Sequence, residues 1–319
     1  MENRELVIVG AGPAGMAAAL SAYENGIKDI LLLERDQYLG GILNQCIHPG
    51  FGLHHFKEDL TGPEYATRFI EEIKGIKEIE VSLKSFVVNL TSDRMLTYFK
   101  PGKLEQIKCK ALIMATGCRE RTREMIHIPG TRPAGIYPAG LAQKMINMEG
   151  WLPGREVVVV GSGDIGLIMA RRFTLEGAKV KAVIEIQKES RGLVRNVVQC
   201  LEDFEIPLYF LHRISKIHGR DRVEKVTVEN VETKETFDLT CDTVLISVGL
   251  IPENDLVEMA GVELDKATNC PRSTETNKCS IPGIFICGNA YKVYDLVDWV
   301  TRDSAKAGKM AAEYIKGLK

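Results

Sequence analysis

A single 32-residue pattern occurs twice in this chain, and that repetition leaves few folds open: ELVIVGAGPAGMAAALSAYENGIKDILLLERD near the N-terminus aligns without a gap on EVVVVGSGDIGLIMARRFTLEGAKVKAVIEIQ in the middle. Gly10, Gly12, Gly15, Gly26 and Glu34 match Gly161, Gly163, Gly166, Gly177 and Glu185, every pair 151 positions apart. Each copy reads as a β-branched strand, a GxGxxG turn, a helix of small and apolar residues and a second strand ending on an acid, which is a βαβ unit. The first glycine permits the tight turn, the second lets a pyrophosphate approach the backbone, and the third lets helix and strand pack closely. Phosphates then sit on the helix N-terminus. An acid 19 residues past the third glycine can hydrogen-bond ribose hydroxyls at the end of the second strand. One such turn also arises from packing alone, but strand, helix and acid together, twice, favour dinucleotide binding. The candidate contacts are Gly10, Gly12, Pro13, Ala14, Gly15, Glu34 and Arg35 in the first copy, and Gly161, Gly163, Asp164, Ile165, Gly166 and Glu185 in the second.

At 319 residues the chain has room for about two domains. Short strands such as Glu80 to Leu90 and Leu112 to Ala115 are expected to close the first unit, and Thr243 to Val248 the second. Both closing strands run into a glycine exit: Ala115, Thr116 and Gly117 in one, Ser247, Val248 and Gly249 in the other. Beyond the second exit the chain still has a strand, Gly283 to Cys287, and an amphipathic helix from about Asp298 to Lys316. These are too few residues for a third nucleotide domain, so they most simply return to complete the first. The expected fold class is α/β with two Rossmann-like dinucleotide-binding domains, one inserted into the other. Residues 1–118 and 249–319 would form the discontinuous domain and 119–248 the insert, with hinges at Pro129 to Pro138 and Gly249 to Pro252.

Composition narrows the partners. With 41 Lys+Arg against 43 Asp+Glu, the net charge of −2 removes the main electrostatic drive toward nucleic acid or an anionic membrane. The uncharged stretch from Leu6 to Tyr23 is broken by Gly10, Gly12, Pro13 and Gly15, and no basic region precedes it, so neither a signal peptide nor a membrane span is expected. Eight cysteines lie scattered without CxxC or any metal-ligand spacing, which suits reduced thiols in a cytoplasmic protein without a metal site.

On these motifs the chain resembles, over nearly its whole length, the two-dinucleotide flavoproteins of the pyridine nucleotide-disulfide oxidoreductase superfamily, in the short form typified by thioredoxin reductase. The resemblance implies that the first GxGxxG and Glu34 hold the ADP half of FAD, joined by Gly40, Gly41 and the exit Ala115, Thr116, Gly117. The second GxGxxG and Gly249 would hold NAD. Where the family places a Gly-Asp pair on the flavin ribityl chain, this chain has Gly288 and Asn289, whose amide still offers an acceptor. The helix after that pair, near Trp299 and Val300, would aim its positive end at the flavin. The family's redox cysteines have no counterpart: GGILNQCIHPGFG carries Cys46 alone, and GIYPAGLAQ carries none. A disulfide relay needs two thiols within bonding reach, so neither family arrangement can form. GGILNQCIHPGFGLHHF and GNAYKVYDLVDWV are similar to a narrower branch, the flavoprotein subunits accompanying anaerobic glycerol-3-phosphate dehydrogenase, opine oxidase and hydrogen cyanide synthase. That branch implies a second dehydrogenase or iron-sulfur subunit as partner. The cysteine-rich C-terminal extension of some relatives is lacking, so any cluster would belong to the partner. A homo-oligomer is compatible with the same reading.

Few side chains stand out as chemical. Adjacent His54 and His55 would point apart in extended chain, and with His48 they read as loop packing rather than a metal site. Cys46, Cys118 and Cys287 read as semi-buried structural thiols, and Arg119, Arg121 and Arg123 as a solvated interdomain segment, with contact to a cofactor phosphate or an acidic partner as the alternative. Hydride transfer between nicotinamide and flavin needs position and electrostatics from the protein rather than an acid or base, so no catalytic side chain is named. The expected function is an FAD-dependent NAD(H) oxidoreductase exchanging electrons with a partner subunit or small acceptor. The alternatives are a self-contained NADH oxidase or thiol reductase using Cys46, and a non-catalytic nucleotide-binding subunit or redox sensor.

Overall fold

The computed structural model describes residues 2–272 and 275–318. The chain divides into two compact units, Met1–Arg119 with Ile251–Lys319, and Glu120–Leu250. The proline-rich stretch from Pro129 to Pro138 lies inside the second unit, and the chain returns to the first within Gly249 to Pro252.

In the first unit five strands run parallel in the order Ile79–Ser82, Ile30–Leu33, Glu2–Val9, Lys103–Met114 and Ile284–Ile286. The fourth of these, Lys103–Met114, takes two partners in turn along one edge of this seven-stranded sheet. Residues up to Lys108 pair antiparallel with Met95–Lys100, which pairs in turn with Phe86–Leu90, and from Leu112 onward the same edge takes Ile284–Ile286. Strand neighbours reverse chain order at Glu2–Val9, which places a crevice at the carboxyl ends of Glu2–Val9 and Lys103–Met114. Both faces of this sheet are covered, which explains the uninterrupted apolar runs. Leu6 and Ile8 face one apolar cluster together with Ala111 and Ile113; Val7 and Val9 face the other with Leu112 and Met114. The helix Pro13–Glu24 is rich in alanine because Val297–Gly317 crosses it closely: a Cβ on Gly308 would lie 2.3 Å from the Ala18 carbonyl oxygen.

One expected element is two. The stretch Glu80 to Leu90 splits into the parallel strand Ile79–Ser82 and the antiparallel Phe86–Leu90, because Lys84 turns the chain at φ 53. The strand expected at Leu112 is the end of a longer one that begins at Lys103, and the last helix runs Val297–Gly317.

The second unit repeats the plan. Its five parallel strands lie in the order Leu208–Tyr209, Lys179–Ile184, Glu156–Val160, Thr243–Ile246 and Ile136–Pro138, and the antiparallel meander His212–Gly219, Val223–Asn230, Thr236–Thr240 forms a separate sheet. Val157 and Val159 face the helices, while Val158 and Val160 face the meander. Among the described residues no helix is long and apolar enough to cross a membrane.

Candidate dinucleotide-binding sites

The first crevice is built by glycines that let backbones touch. Gly10 has φ +101, and a Cβ there would lie 2.4 Å from the Ala115 carbonyl oxygen; one on Gly15 would lie 1.8 Å from the Gly10 carbonyl oxygen. Both positions therefore exclude any side chain. Gly12 differs: its backbone is extended at φ −73, ψ −173, and the nearest atom to an added Cβ is Gly41 Cα at 3.9 Å. The helix Pro13–Glu24 starts there with proline in its first turn and without a side-chain cap, so its first amides remain available to a ligand. Gly40 donates its N–H to the Ala11 carbonyl at 2.9 Å, laying the Gly40–Gly41 turn beside the glycine loop.

Glu34 is 5% exposed and tied at both oxygens: Oε2 accepts from the Ala11 N–H at 2.7 Å and Oε1 from the Asp36 N–H at 2.8 Å. Its main chain is clamped as well. Glu34 N–H donates to Ser82 O, Lys84 N–H to Asp36 O, and Ser85 N–H to Glu34 O, at 2.8–2.9 Å. Arg35 is exposed. Ala14, Gly288 and Val300 converge, since a Cβ on Gly288 would meet Ala14 Cβ at 2.6 Å and Val300 Cγ1 at 3.3 Å. Thr116 Oγ1 donates to Glu253 O at 2.7 Å, and Gly117 O accepts from Glu253 N–H at 3.0 Å. The Asn289 amide fastens its own loop: Oδ1 accepts from Tyr294 N–H at 3.1 Å and Nδ2 donates to Cys118 Sγ at 3.7 Å.

The second unit repeats most of this arrangement and adds one bond to its acid. Gly161 has φ +96 with its Cβ direction blocked by Ser247 O at 2.1 Å, Gly166 would meet Gly161 O at 2.6 Å, and Gly163 has nothing within 4 Å. Glu185, also 5% exposed, receives the Ser162 N–H (2.9 Å) and Ser162 Oγ–H (2.7 Å) on Oε2 and the Gln187 N–H (2.8 Å) on Oε1. The same main-chain clamp recurs through Tyr209, Leu211 and His212. Gly192 N–H donates to Ser162 O at 3.0 Å, the counterpart of Gly40 on Ala11. Asp164 turns away from the glycine loop to hold this strap, its Oδ1 accepting from Leu193 N–H (2.8 Å) and Asn196 Nδ2 (2.6 Å). Ile165 is 37% exposed, and Gly249, at φ +110, accepts from Arg121 N–H through its carbonyl.

Sequence reasoning passed over Ala11, Asp36, Ser162, Gln187 and Gly192. A signal for the last was present but one residue out of register: Gly41 and Gly192 are 151 positions apart, while the bond equivalent to that of Gly192 is made by Gly40. Lys84 and Leu211 were invisible, since neither is glycine yet both sit left-handed, at φ 53 and φ 59. A left-handed conformation costs a non-glycine residue about 1–2 kcal/mol. Lys84→Gly is therefore expected to leave stability unchanged or raise it by up to ~1 kcal/mol, and Lys84→Val to lower it by ~1–2 kcal/mol, both read from urea unfolding.

The units differ in one insertion. Acid and third strand end are 48 residues apart in the first unit (Glu34 to Ser82) and 24 in the second (Glu185 to Tyr209). The surplus carries the hairpin Pro49–Phe51 with Leu60–Thr61. At its tip the chain is turned rather than extended: His54 stacks on Trp299 at 5.1 Å, while His55 packs against Phe56 at 4.5 Å and donates its N–H to the buried Asp298 carboxylate at 2.8 Å. Cys46 Sγ donates to Ile42 O at 3.3 Å, and burial pushes its thiol up to about 12; Cys287 is pushed equally high by burial. Neither is a thiolate near neutral pH. None of the eight cysteines is in a disulfide.

A family model described as pyridine nucleotide-disulphide oxidoreductase matches residues 4–304. Hydrogen cyanide synthase subunit HcnB of Pseudomonas protegens is 27% identical over 284 residues, 81% of this chain, and the chain spans 59% of that subunit's length. The 34.2 kDa protein in the rubredoxin operon of Clostridium pasteurianum is 25% identical across 98% of this chain and 97% of its own. Among solved structures, thioredoxin reductase of Lactococcus lactis in its FR conformation shares the fold with a TM-score of 0.80 at 24% identity, covering 99% of this chain and 100% of that one.

Proposed function

The chain belongs to the pyridine nucleotide-disulphide oxidoreductase family, whose cofactors are FAD and NAD(P)H, and on that premise we propose that it is an NADH-dependent flavoprotein that passes electrons to a partner subunit. The observation that carries this reading is the pair of matched glycine-and-acid cradles beside eight cysteines outside any disulfide. The cradles fit dinucleotides: at Gly12 and Gly163 the space a Cβ would take is open, and both helix starts lack a side-chain cap. When bound, FAD supplies a two-electron acceptor for hydride from nicotinamide.

The residues divide the binding work. Gly10, Gly12, Pro13, Gly15, Gly40 and Gly41 would hold the flavin pyrophosphate, with Glu34 on its ribose, and Gly161, Gly163, Gly166 and Glu185 would do the same for NADH. A carboxylate has four lone-pair positions. Glu34 spends one on each oxygen and keeps one on each, enough for both ribose hydroxyls; Glu185 has filled Oε2 with Ser162 and keeps one on Oε1. The stronger grip suits a resident cofactor and the weaker one a cosubstrate that must leave. Gly288, Asn289 and Val300 would border the flavin's remaining length. Burial disfavours the thiolates of Cys46 and Cys287, which argues against a thiol relay at either, and the word "subunit" in its relative's name supports an external protein acceptor.

The test is turnover of the protein purified with its native companions against the chain alone. Alone, the flavin should bleach with NADH under argon yet turn over slowly with oxygen or disulfides, and the companions should restore steady oxidation. Fast disulfide or oxygen turnover by the isolated chain would transfer the case to a self-contained reductase or oxidase.

A further inference from the structure

Within the second unit, between residues 122–133 and the sheet, lies a cavity of about 330 Å³. Ile136, Pro138 and Ile246 give it apolar lining, and Arg123, Arg132 and Glu124 give it charged lining. Ile246 belongs to the apolar cluster on the meander face, joined there by Ile126, Ile128 and Ile136, whereas the helix Asp164–Leu175 packs on the opposite face. Neither the Gly161–Gly166 loop nor Glu185 lines the cavity, so it is distinct from the dinucleotide cradle.

Arg123 is not the solvated residue its sequence context suggests. It is 6% exposed, and its guanidinium donates only to main-chain carbonyls: Nε and Nη2 to Ile128 O, each at 3.1 Å, and Nη1 to Thr131 O at 2.6 Å. A guanidinium carries five N–H groups, so one on each Nη is left without an acceptor among the described residues. The neighbouring carboxylate, Glu124, pairs instead with Arg132 at the solvent-exposed mouth, at 3.0 Å, and the two charges offset each other. Burial, then the nearby Arg132, pushes the Arg123 pKa down against the opposing pull of the Glu124 carboxylate, which makes no hydrogen bond to the guanidinium. A buried cation whose N–H groups are not all hydrogen-bonded is costly, and natural folds pair it.

We propose that this cavity binds a small organic carboxylate, whose two oxygens take the unused N–H groups of Arg123 while its apolar body lies against Ile136, Pro138 and Ile246. The planar guanidinium matches a carboxylate in a way that a point charge does not. The volume falls at the lower end of small-molecule sites. The proposal stands apart from the assignment of the two dinucleotides.

Calorimetric titration of the full chain with benzoate tests it, with benzamide as the uncharged isostere and a cooperative thermal melt as the check on folding. Benzoate should saturate one site, and benzamide should bind at least about tenfold more weakly. Arg123→Lys keeps the charge and loses the fork, and should weaken benzoate about tenfold. Should Arg123→Lys fail to fold, Arg132→Gln at the exposed mouth decides, with an expected loss of about threefold from the lowered local potential. No benzoate binding to the parent, equal affinity for benzamide, or variants that bind benzoate like the parent would each overturn the proposal.

Discussion

Gly163→Ala is expected to leave the chain folded and yellow while almost abolishing flavin reduction by NADH, and Gly12→Ala to leave it folded but colourless. The backbone at both positions is extended, φ −70 and −73, so alanine adopts it without strain, and the added methyl meets no protein atom closer than 3.9 Å. The methyl enters the space through which a pyrophosphate must approach the helix amides. Losing two charge-assisted hydrogen bonds at about 1.5 kcal/mol each weakens binding by roughly two orders of magnitude. The neighbouring glycines behave differently. A Cβ on Gly15 would lie 1.8 Å from the Gly10 carbonyl oxygen, so Gly15→Ala attacks the fold itself and should cost several kcal/mol of stability. Retained colour in Gly12→Ala, or parental NADH reduction in Gly163→Ala, would detach the cradles from the cofactors.

The second large effect is at Glu185. Glu185 is buried, and in the proposed role its carboxylate would accept from a ribose 2′-hydroxyl and repel a 2′-phosphate, so NADH should be preferred over NADPH by about a hundredfold in kcat/KM. Glu185→Gln removes the charge, and its new amide group must face one of the donors that now converge there, Ser162 N–H and Oγ–H or Gln187 N–H. The mismatch should cost ~1–3 kcal/mol of stability, raise KM for NADH about tenfold and shrink the preference over NADPH by a similar factor. Parallel NADH and NADPH kinetics on parent and variant measure this. A parent that used NADPH as well as NADH would place the ribose elsewhere.

The two glycine loops and their acids were legible because glycine at a positive φ and a paired acid leave a periodic trace, here an offset of 151. Lys84 left no such trace, since nothing in its residue type announces a left-handed turn, and one expected strand became two. Asp164 sits at the expected phosphate-facing position, yet its carboxylate holds Leu193 and Asn196, a contact 29 and 32 residues distant that local pattern cannot reveal. Arg123 was missed for a different reason: in a run of alternating arginines it reads as solvated, but the loop folds back so that the Ile128 and Thr131 carbonyls take its guanidinium. The hairpin at Pro49–Phe51 was read as loop because its strands are two and three residues long.

The central claim, reduced flavin without an internal disulfide, is tested most directly by anaerobic titration with NADH of the parent beside Cys46→Ser, Cys118→Ser and Cys287→Ser. None of the eight cysteines is in a disulfide and burial pushes the Cys46 and Cys287 thiols up to about 12, so on this account the flavin alone would store electrons. All four proteins should therefore consume one NADH per FAD at full bleaching. Uptake of two equivalents by the parent, falling to one in any cysteine variant, would reveal a redox-active disulfide and contradict the account.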